Sequence, residues 1–405
     1  MNLCFNDILF SFSYGLDCVE HDLVGVSSNH SKRVAYMSVL IGKLLHFSQD
    51  ELIDIASCAV LHDNALTEYI NEEMCMNIDV VNDKEKIVLG EHALIGEENV
   101  HALPFRGNVK NAILYHHENA DATGPFSVPA KDTSLFAQII HITDIVDVTF
   151  DLSIITKEKY SAVLDFLKES SDTFFASSLV NLFTKAVSYE KVLSMDNFNI
   201  AATLKQSIPR IKQDFSPEQL VEIAKFFACI IDYKSTQTAS HSLHIASKMA
   251  RMARFYNYDD YNILVSYLAG ALHDVGKLTV DRDILEKKGK LTPSEYEHIK
   301  SHAIASYNML ASIEGFDDVT LLASSHHEKL NGSGYPFKKD DSQLGQLQRT
   351  ICAIDIYQAL REKRSYKQTM THKEVITLLN KLVVKGELDK KVIADIDFVF
   401  ANDES

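Results

Sequence analysis

The sequence predicts an all-α protein made of two tandem copies of one helical domain. Three observations lead there. Apolar residues recur at helical spacing along the chain, and the alternating apolar–polar runs that mark strands are scarce. A set of histidine-bearing motifs also occurs twice in the same order.

From Arg33 to Leu45, residues Val34, Met37, Leu40, Ile41, Leu44 and Leu45 fall on one helical stripe. Ser216-Pro217-Glu218-Gln219 is a helix start: Ser as N-cap, Pro in the first turn, Gln three residues after the cap. The helix it opens carries Leu220, Ile223, Phe227, Ile230 and Ile231. Tyr261 to Leu272 has similar spacing, and Val375 to Val383 is a further helical stretch. The run 331–336, NGSGYP, is a turn, because Gly and Pro stack up there.

The repeat shows in pairs: His30 with His241, His62 with His273, His92 with His302, His116 with His326, and Asp144 with Asp355. All five pairs keep an offset of 210 or 211 residues. Chance matches would not hold register over such a length. The join is expected within 190–215, where the helical pattern breaks, giving domains 1–195 and 196–405.

Lys and Arg number 40 against 56 Asp and Glu, for a net charge of −16. A binder of polymeric nucleic acid needs a basic face, so that partner is not expected. A small anionic ligand held by local cations or metals stays open. No apolar run is long enough to span a membrane. The N-terminus lacks a basic region and meets Asp7 early, so no signal peptide is expected. The six cysteines form no CxxC pair and read as reduced thiols, which makes the cytoplasm the expected compartment. A homodimer is compatible with the sequence.

In the second copy, His241, His273, Asp274, His302, His326, His327 and Asp355 form a donor set of imidazoles and carboxylates, suited to Mn, Fe, Zn or Ni-type ions. No thiolate joins them, which argues against a structural zinc knuckle. Seven donors are too many for one ion. They suit two ions about 3.5–4 Å apart, bridged by a carboxylate such as Asp274 and by water or hydroxide, an arrangement that favours phosphodiester hydrolysis. Lys277, three residues after Asp274, can meet a phosphate oxygen as a point charge. A single histidine on a helix is more often structural than a ligand; the argument rests on all seven in fixed order. His298 and His372 stand outside that order.

Residues 220–400 resemble the HD-GYP domain, a subclass of HD-superfamily phosphohydrolases that cleaves cyclic dinucleotides. The resemblance is carried by His241, LHDVGK at 272–277, ILEKKGKLTPSEYEHIKSH at 284–302, HHEKLNGSGYP at 326–336, Asp355 and RSYK at 364–367. It implies that the seven donors hold two divalent ions, with iron or manganese favoured. It implies catalysis through Asp274 and Lys277, and substrate contacts through Lys277, Tyr335, Arg364 and Lys367. The implied reaction opens cyclic di-GMP or 3′,3′-cyclic GMP-AMP to a linear 5′-phosphorylated dinucleotide; the tandem form with a degenerate first copy leans toward cyclic GMP-AMP. The departures are Gln237 where some members place a third-metal glutamate, Asn331 for the Asp of the DGSGYP turn, and Gln358 for the second Asp of the DxxDAL stretch. Two other readings compete: a non-catalytic receptor for metal or cyclic dinucleotide that acts through a partner protein, and a nucleotide phosphohydrolase of the wider HD superfamily.

The first copy keeps a donor of matching type at every position: His30, His62, Asp63, His92, His116, His117 and Asp144. Leu66 replaces Lys277, HHENADATGPF (116–126) replaces the segment with the GYP turn, and Ser153 and Thr156 replace Arg364 and Lys367. Its role is open between metal binding without catalysis, an inactive packing partner, and hydrolysis of another phosphate substrate.

Overall fold

The computed structural model describes residues 1–66, 84–234, 240–287, 289–362 and 369–403. They form two compact helical units. One is Cys4–Gln213; the other is Asp214–Ser405 together with Met1–Leu3. The only strands among the described residues are the two-residue pieces Asn2–Leu3 and Gln213–Asp214. The protein is therefore all-α, in two tandem domains.

The division at 213/214 lies later than the 195/196 boundary expected from sequence. The stretch read as a break contains a helix, Ile200–Ser207, whose Ile200 and Leu204 are buried and which packs on the helix His30–Leu44. The extreme N-terminus goes with the C-terminal unit: the Met1 ammonium donates to the Phe215 carbonyl at 3.1 Å, and Asn2 Nδ2 to Asp214 Oδ1 at 2.9 Å.

In the N-terminal unit the helix His30–Leu44 is central, with His30 through Gly42 all buried. The apolar stripe read from sequence is thus only one of its covered faces. Helices Gln49–Val60, Leu135–Phe150, Ser177–Ala186 and Ile200–Ser207 pack around it, so its polar residues must find partners inside. Arg33, fully buried, donates from Nε and Nη2 to the two oxygens of Asp147, each at 2.8 Å. Arg33→Met would leave that carboxylate buried without its cation. The expected cost is about 3–5 kcal/mol, read as a lower unfolding temperature of this unit.

In the C-terminal unit the corresponding helix, His241–Phe255, packs against Pro217–Lys234, Asp260–Leu272, Gln346–Arg361 and Lys390–Phe400. The expected cap forms: Gln219 N donates to Ser216 Oγ, and Ser216 N to Gln219 Oε1 at 3.0 Å. The helices read at 261–272 and 375–383 are observed as Asp260–Leu272 and His372–Val384.

Candidate functional site

In the C-terminal unit the donors come from separate elements and meet at one place. His241 opens its helix, and His273 follows the last turn of Asp260–Leu272. Asp274 precedes the short 3-10 turn Val275–Thr279. His302 lies within the helix Pro293–Ala311, which starts on a Thr292–Glu295 capping box. His326 and His327 follow the helix Asp317–Ala323, and Asp355 sits in Gln346–Arg361.

The donors form two groups, His241–His273–Asp355 and His302–His326–His327, each compact enough to hold an ion. Asp274 links them. Its Oδ2 is 3.0 Å from His273 Nε2, and its Oδ1 is 3.3 Å from His302 Nε2 and 3.7 Å from His326 Nε2. The Nδ1 atoms of His273, His302 and His326 face the backbone carbonyls of Gly270, Ile299 and Ala323 at 2.8, 2.5 and 2.7 Å. With the proton on Nδ1, each Nε2 lone pair is turned inward. His273 Nε2 and Asp274 Oδ1 are buried without a hydrogen-bond partner. Orphaned acceptors in a dry interior are costly unless a cation or proton meets them, so the residues present fit a divalent metal centre.

The electrostatics divide the histidines. Burial lowers His327 to about 4 and holds His326 well below the usual imidazole range, so both stay neutral. Burial also opposes a proton on His273, but the Asp274 and Asp355 carboxylates outweigh it and lift the group to about 9. Lys277 Nζ sits 2.6 Å from Asp274 Oδ2. Burial disfavours its charge, but Asp274 and Asp355 overcome this and raise its pKa.

Beside His326 and His327 opens a cavity of about 330 Å³, also lined by Tyr296, Lys300, Gly334 and Tyr335. The Tyr335 ring lies 4.7 Å from the His327 ring, and Lys300 Nζ lies 5.3 Å above it. Arg364, Lys367 and Gln237 lie outside the described residues. His298 pairs loosely with Asp281 at 3.8 Å, and His372 bridges Tyr357 and Asp397, both outside the donor groups.

Sequence reasoning missed three residues here. Glu328 accepts from the backbone N–H of Phe337 at 2.7 Å and of Lys339 at 2.9 Å, pinning the turn that carries Tyr335. The HHE motif in both copies was its signal. Lys300 had no signal beyond lying two residues before His302. Glu362 accepts a hydrogen bond from His241 Nδ1 at 2.7 Å, and Gln358 Nε2 donates to its other oxygen at 2.6 Å.

Glu362 explains the Gln358 departure. In the N-terminal unit, Asp147 stands three residues after Asp144, as Gln358 does after Asp355, and its Oδ2 accepts from His30 Nδ1 at 2.7 Å. In the C-terminal unit the orienting carboxylate has moved one helical turn on. Loss of such a partner weakens metal affinity or activity by about 10–100-fold. Glu362→Gln should show that loss in Mn²⁺ titration, and adding Gln358→Asp should restore much of it.

The N-terminal unit assembles its own donors in the same way. Asp63 Oδ1 lies 3.2 Å from His92 Nε2 and 3.5 Å from His116 Nε2, while Asp144 Oδ1 lies 3.1 Å from His30 Nε2 and 3.7 Å from His62 Nε2. Leu66, at the Lys277 position, is buried. The GYP motif is absent, yet its loop frame persists. Glu118 holds the backbone N–H of Phe126 and Val128 as Glu328 holds its loop, and Gly124 packs on Glu118 as Gly334 packs on Glu328. What the first copy lacks is the tyrosine: Gly124-Pro125-Phe126 stands where the second copy has Gly334-Tyr335-Pro336-Phe337.

HD domain models match residues 225–392 and 28–149. The chain is 29% identical over 382 residues to 3′3′-cGAMP-specific phosphodiesterase 1 of Vibrio cholerae, covering 92% of this chain and 87% of that one. It is 26% identical over 182 residues to a cyclic di-GMP phosphodiesterase of Thermotoga maritima, covering 44% and 48%. A crystal structure of a cyclic GMP-AMP specific phosphodiesterase from V. cholerae matches with a TM-score of 0.69 at 21% identity, over 100% of this chain and 99% of that one, a likeness of fold.

Proposed function

We infer the function from one premise: the chain belongs to the HD-domain family, as a tandem protein whose second domain is of the HD-GYP type. It is a metal-dependent phosphodiesterase that opens a cyclic dinucleotide, 3′,3′-cyclic GMP-AMP or cyclic di-GMP, to the linear 5′-phosphorylated form. The observation that carries this reading is the ion pair between buried Asp274 and part-exposed Lys277, set between two donor groups one of which borders a cavity beside Tyr335.

Two divalent ions, iron or manganese, held by His241, His273, Asp274, His302, His326, His327 and Asp355, would supply Lewis acidity to the phosphoryl oxygens and acidify water for in-line attack. The chain's own groups do the rest. Asp274 presents one oxygen to each donor group and fixes their separation. Lys277, held charged, offers its ammonium to a phosphoryl oxygen and offsets the negative charge that builds there. Neutral His326 and His327 offer lone pairs and no proton. Tyr335 and Lys300 form an aromatic and cationic wall on which a base can stack. Arg364 and Lys367 complete the proposal as phosphate and base contacts.

The test incubates the protein with Mn²⁺, or anaerobically with Fe²⁺, and an equimolar mixture of the two cyclic dinucleotides, with a mononucleotide control. Linear dinucleotide is the expected product, and its amounts rank the substrates. Bound nucleotide without product would overturn the enzyme reading in favour of a receptor. Preferential hydrolysis of the mononucleotide would overturn the substrate class. In the same assay, Lys277→Met should cost about 10²–10³-fold in turnover while metal content is kept.

A further inference from the structure

The cavity beside His326 and His327 carries a charged pair that the phosphoryl chemistry does not use. Lys329 and Glu387 line it together with Tyr335, and Lys329 Nζ donates to Glu387 Oε2 at 2.6 Å. The pair is only part-covered, with side-chain exposures of 37% and 17%. A pair of this kind adds little to stability.

The loop does not need the pair either. Leu330 N donates to the carbonyl of Glu387, just after the helix His372–Val384, at 3.1 Å. In the first copy Ala120 N donates to the carbonyl of Phe174, after the helix Lys157–Glu169, at 3.0 Å. The same backbone contact closes both loops, with Asn119 and Phe174 standing where the second copy has Lys329 and Glu387. The pair is therefore particular to the second copy, as Lys277 and Tyr335 are.

We propose that Glu387 and Lys329 read the edge of a purine base of the substrate and select guanine. This rests on the phosphodiesterase reading and deepens it. At about 330 Å³ the cavity is at the small end of ligand pockets, about 300–1,000 Å³, so it takes one base of a dinucleotide. Tyr335 offers that base a ring to stack on, and bases held out of a duplex are read along their pairing edge. The pairing edge of guanine has two neighbouring donors, N1–H and the N2 amine, beside the O6 acceptor. A carboxylate has about four lone-pair sites, of which the Lys329 contact uses one. Glu387 can thus take both guanine donors while Lys329 gives a proton to O6. Adenine has no second donor beside its amine and loses one of these bonds.

The test compares cyclic di-GMP, cyclic di-IMP and cyclic di-AMP as substrates of the full chain with Mn²⁺. Using two identical bases removes the choice of which base enters the cavity. Hypoxanthine keeps the O6 and N1–H of guanine and lacks the amine, so it isolates one contact of Glu387. The unsubstituted chain should lose about tenfold in kcat/KM from guanine to hypoxanthine and about 10–100-fold from guanine to adenine. Glu387→Ala keeps the carbonyl that Leu330 binds. It should raise KM for cyclic di-GMP, leave kcat largely unchanged, and treat guanine and hypoxanthine alike. A merely structural Glu387 would lower all three substrates by one common factor, which overturns the proposal. Equal use of guanine and hypoxanthine by the unsubstituted chain overturns it too, while leaving the phosphodiesterase reading intact. Should no product form from any of the three, equilibrium dialysis of the same nucleotides decides. Binding in the order guanine, hypoxanthine, adenine, lost in Glu387→Ala, would sink the phosphodiesterase reading and leave guanine selection standing; binding without that order sinks both.

Discussion

Asp274→Ala abolishes hydrolysis of the cyclic dinucleotide, with a loss of at least about 10²–10³-fold in turnover, and is the substitution with the largest expected effect on activity. Asp274 is the residue whose two oxygens face both donor groups: Oδ2 lies 3.0 Å from His273 Nε2, and Oδ1 lies 3.3 Å from His302 Nε2. Its removal takes a ligand from both positions at once. It also strips Lys277 of the carboxylate 2.6 Å away that holds its ammonium in place. Uncompensated buried charge costs about 3–5 kcal/mol when one partner of a buried pair is deleted, so the metal-free variant should also unfold at lower temperature. Asp274→Asn separates the two effects. It keeps the shape and removes the charge, so activity should stay lost while packing is preserved. Product chromatography and thermal unfolding, run on the same preparations, check both.

Gly276→Ala is expected to lower stability and metal affinity together. A Cβ at this position would stand 2.0 Å from the His302 carbonyl oxygen and 2.6 Å from Ser306 N, both backbone atoms of one helix. Gly276 N also donates to Ser306 Oγ at 2.8 Å, so the turn and the helix are tied at the point of contact. Neither side can yield by rotating a side chain. Overpacking of this kind costs about 1–3 kcal/mol and sometimes more, and the upper end is expected here. The clash falls on the residue that presents a donor imidazole, so metal affinity should fall along with stability. Chemical denaturation and Mn²⁺ titration read the two effects. The N-terminal unit handles the same approach the other way round: it has Ala65 at the Gly276 position and Gly96 at the Ser306 position, where an added Cβ would meet Ala65 Cβ at 3.8 Å. The small residue has changed sides between the copies.

Legible in the sequence alone were the helical class, the duplication and the order of the candidate donors. These follow from short-range rules. Helical spacing is written in consecutive residues, and donors such as His273 and Asp274 are adjacent in the chain, so their order survives as a readable pattern in both copies. The tertiary structure decided the rest. Glu362 rather than position 358 orients His241, because an orienting carboxylate needs only to reach the ring, and the next turn of the same helix also reaches it. The loop frame of the second copy persists in the first without its signature residues, because Glu118 and Gly124 hold it through backbone contacts that Tyr335 does not make. The units divide at 213/214 because the helix Ile200–Ser207, with Ile200 and Leu204 buried, packs on the helix that carries His30, a contact between segments far apart in sequence that no local pattern records.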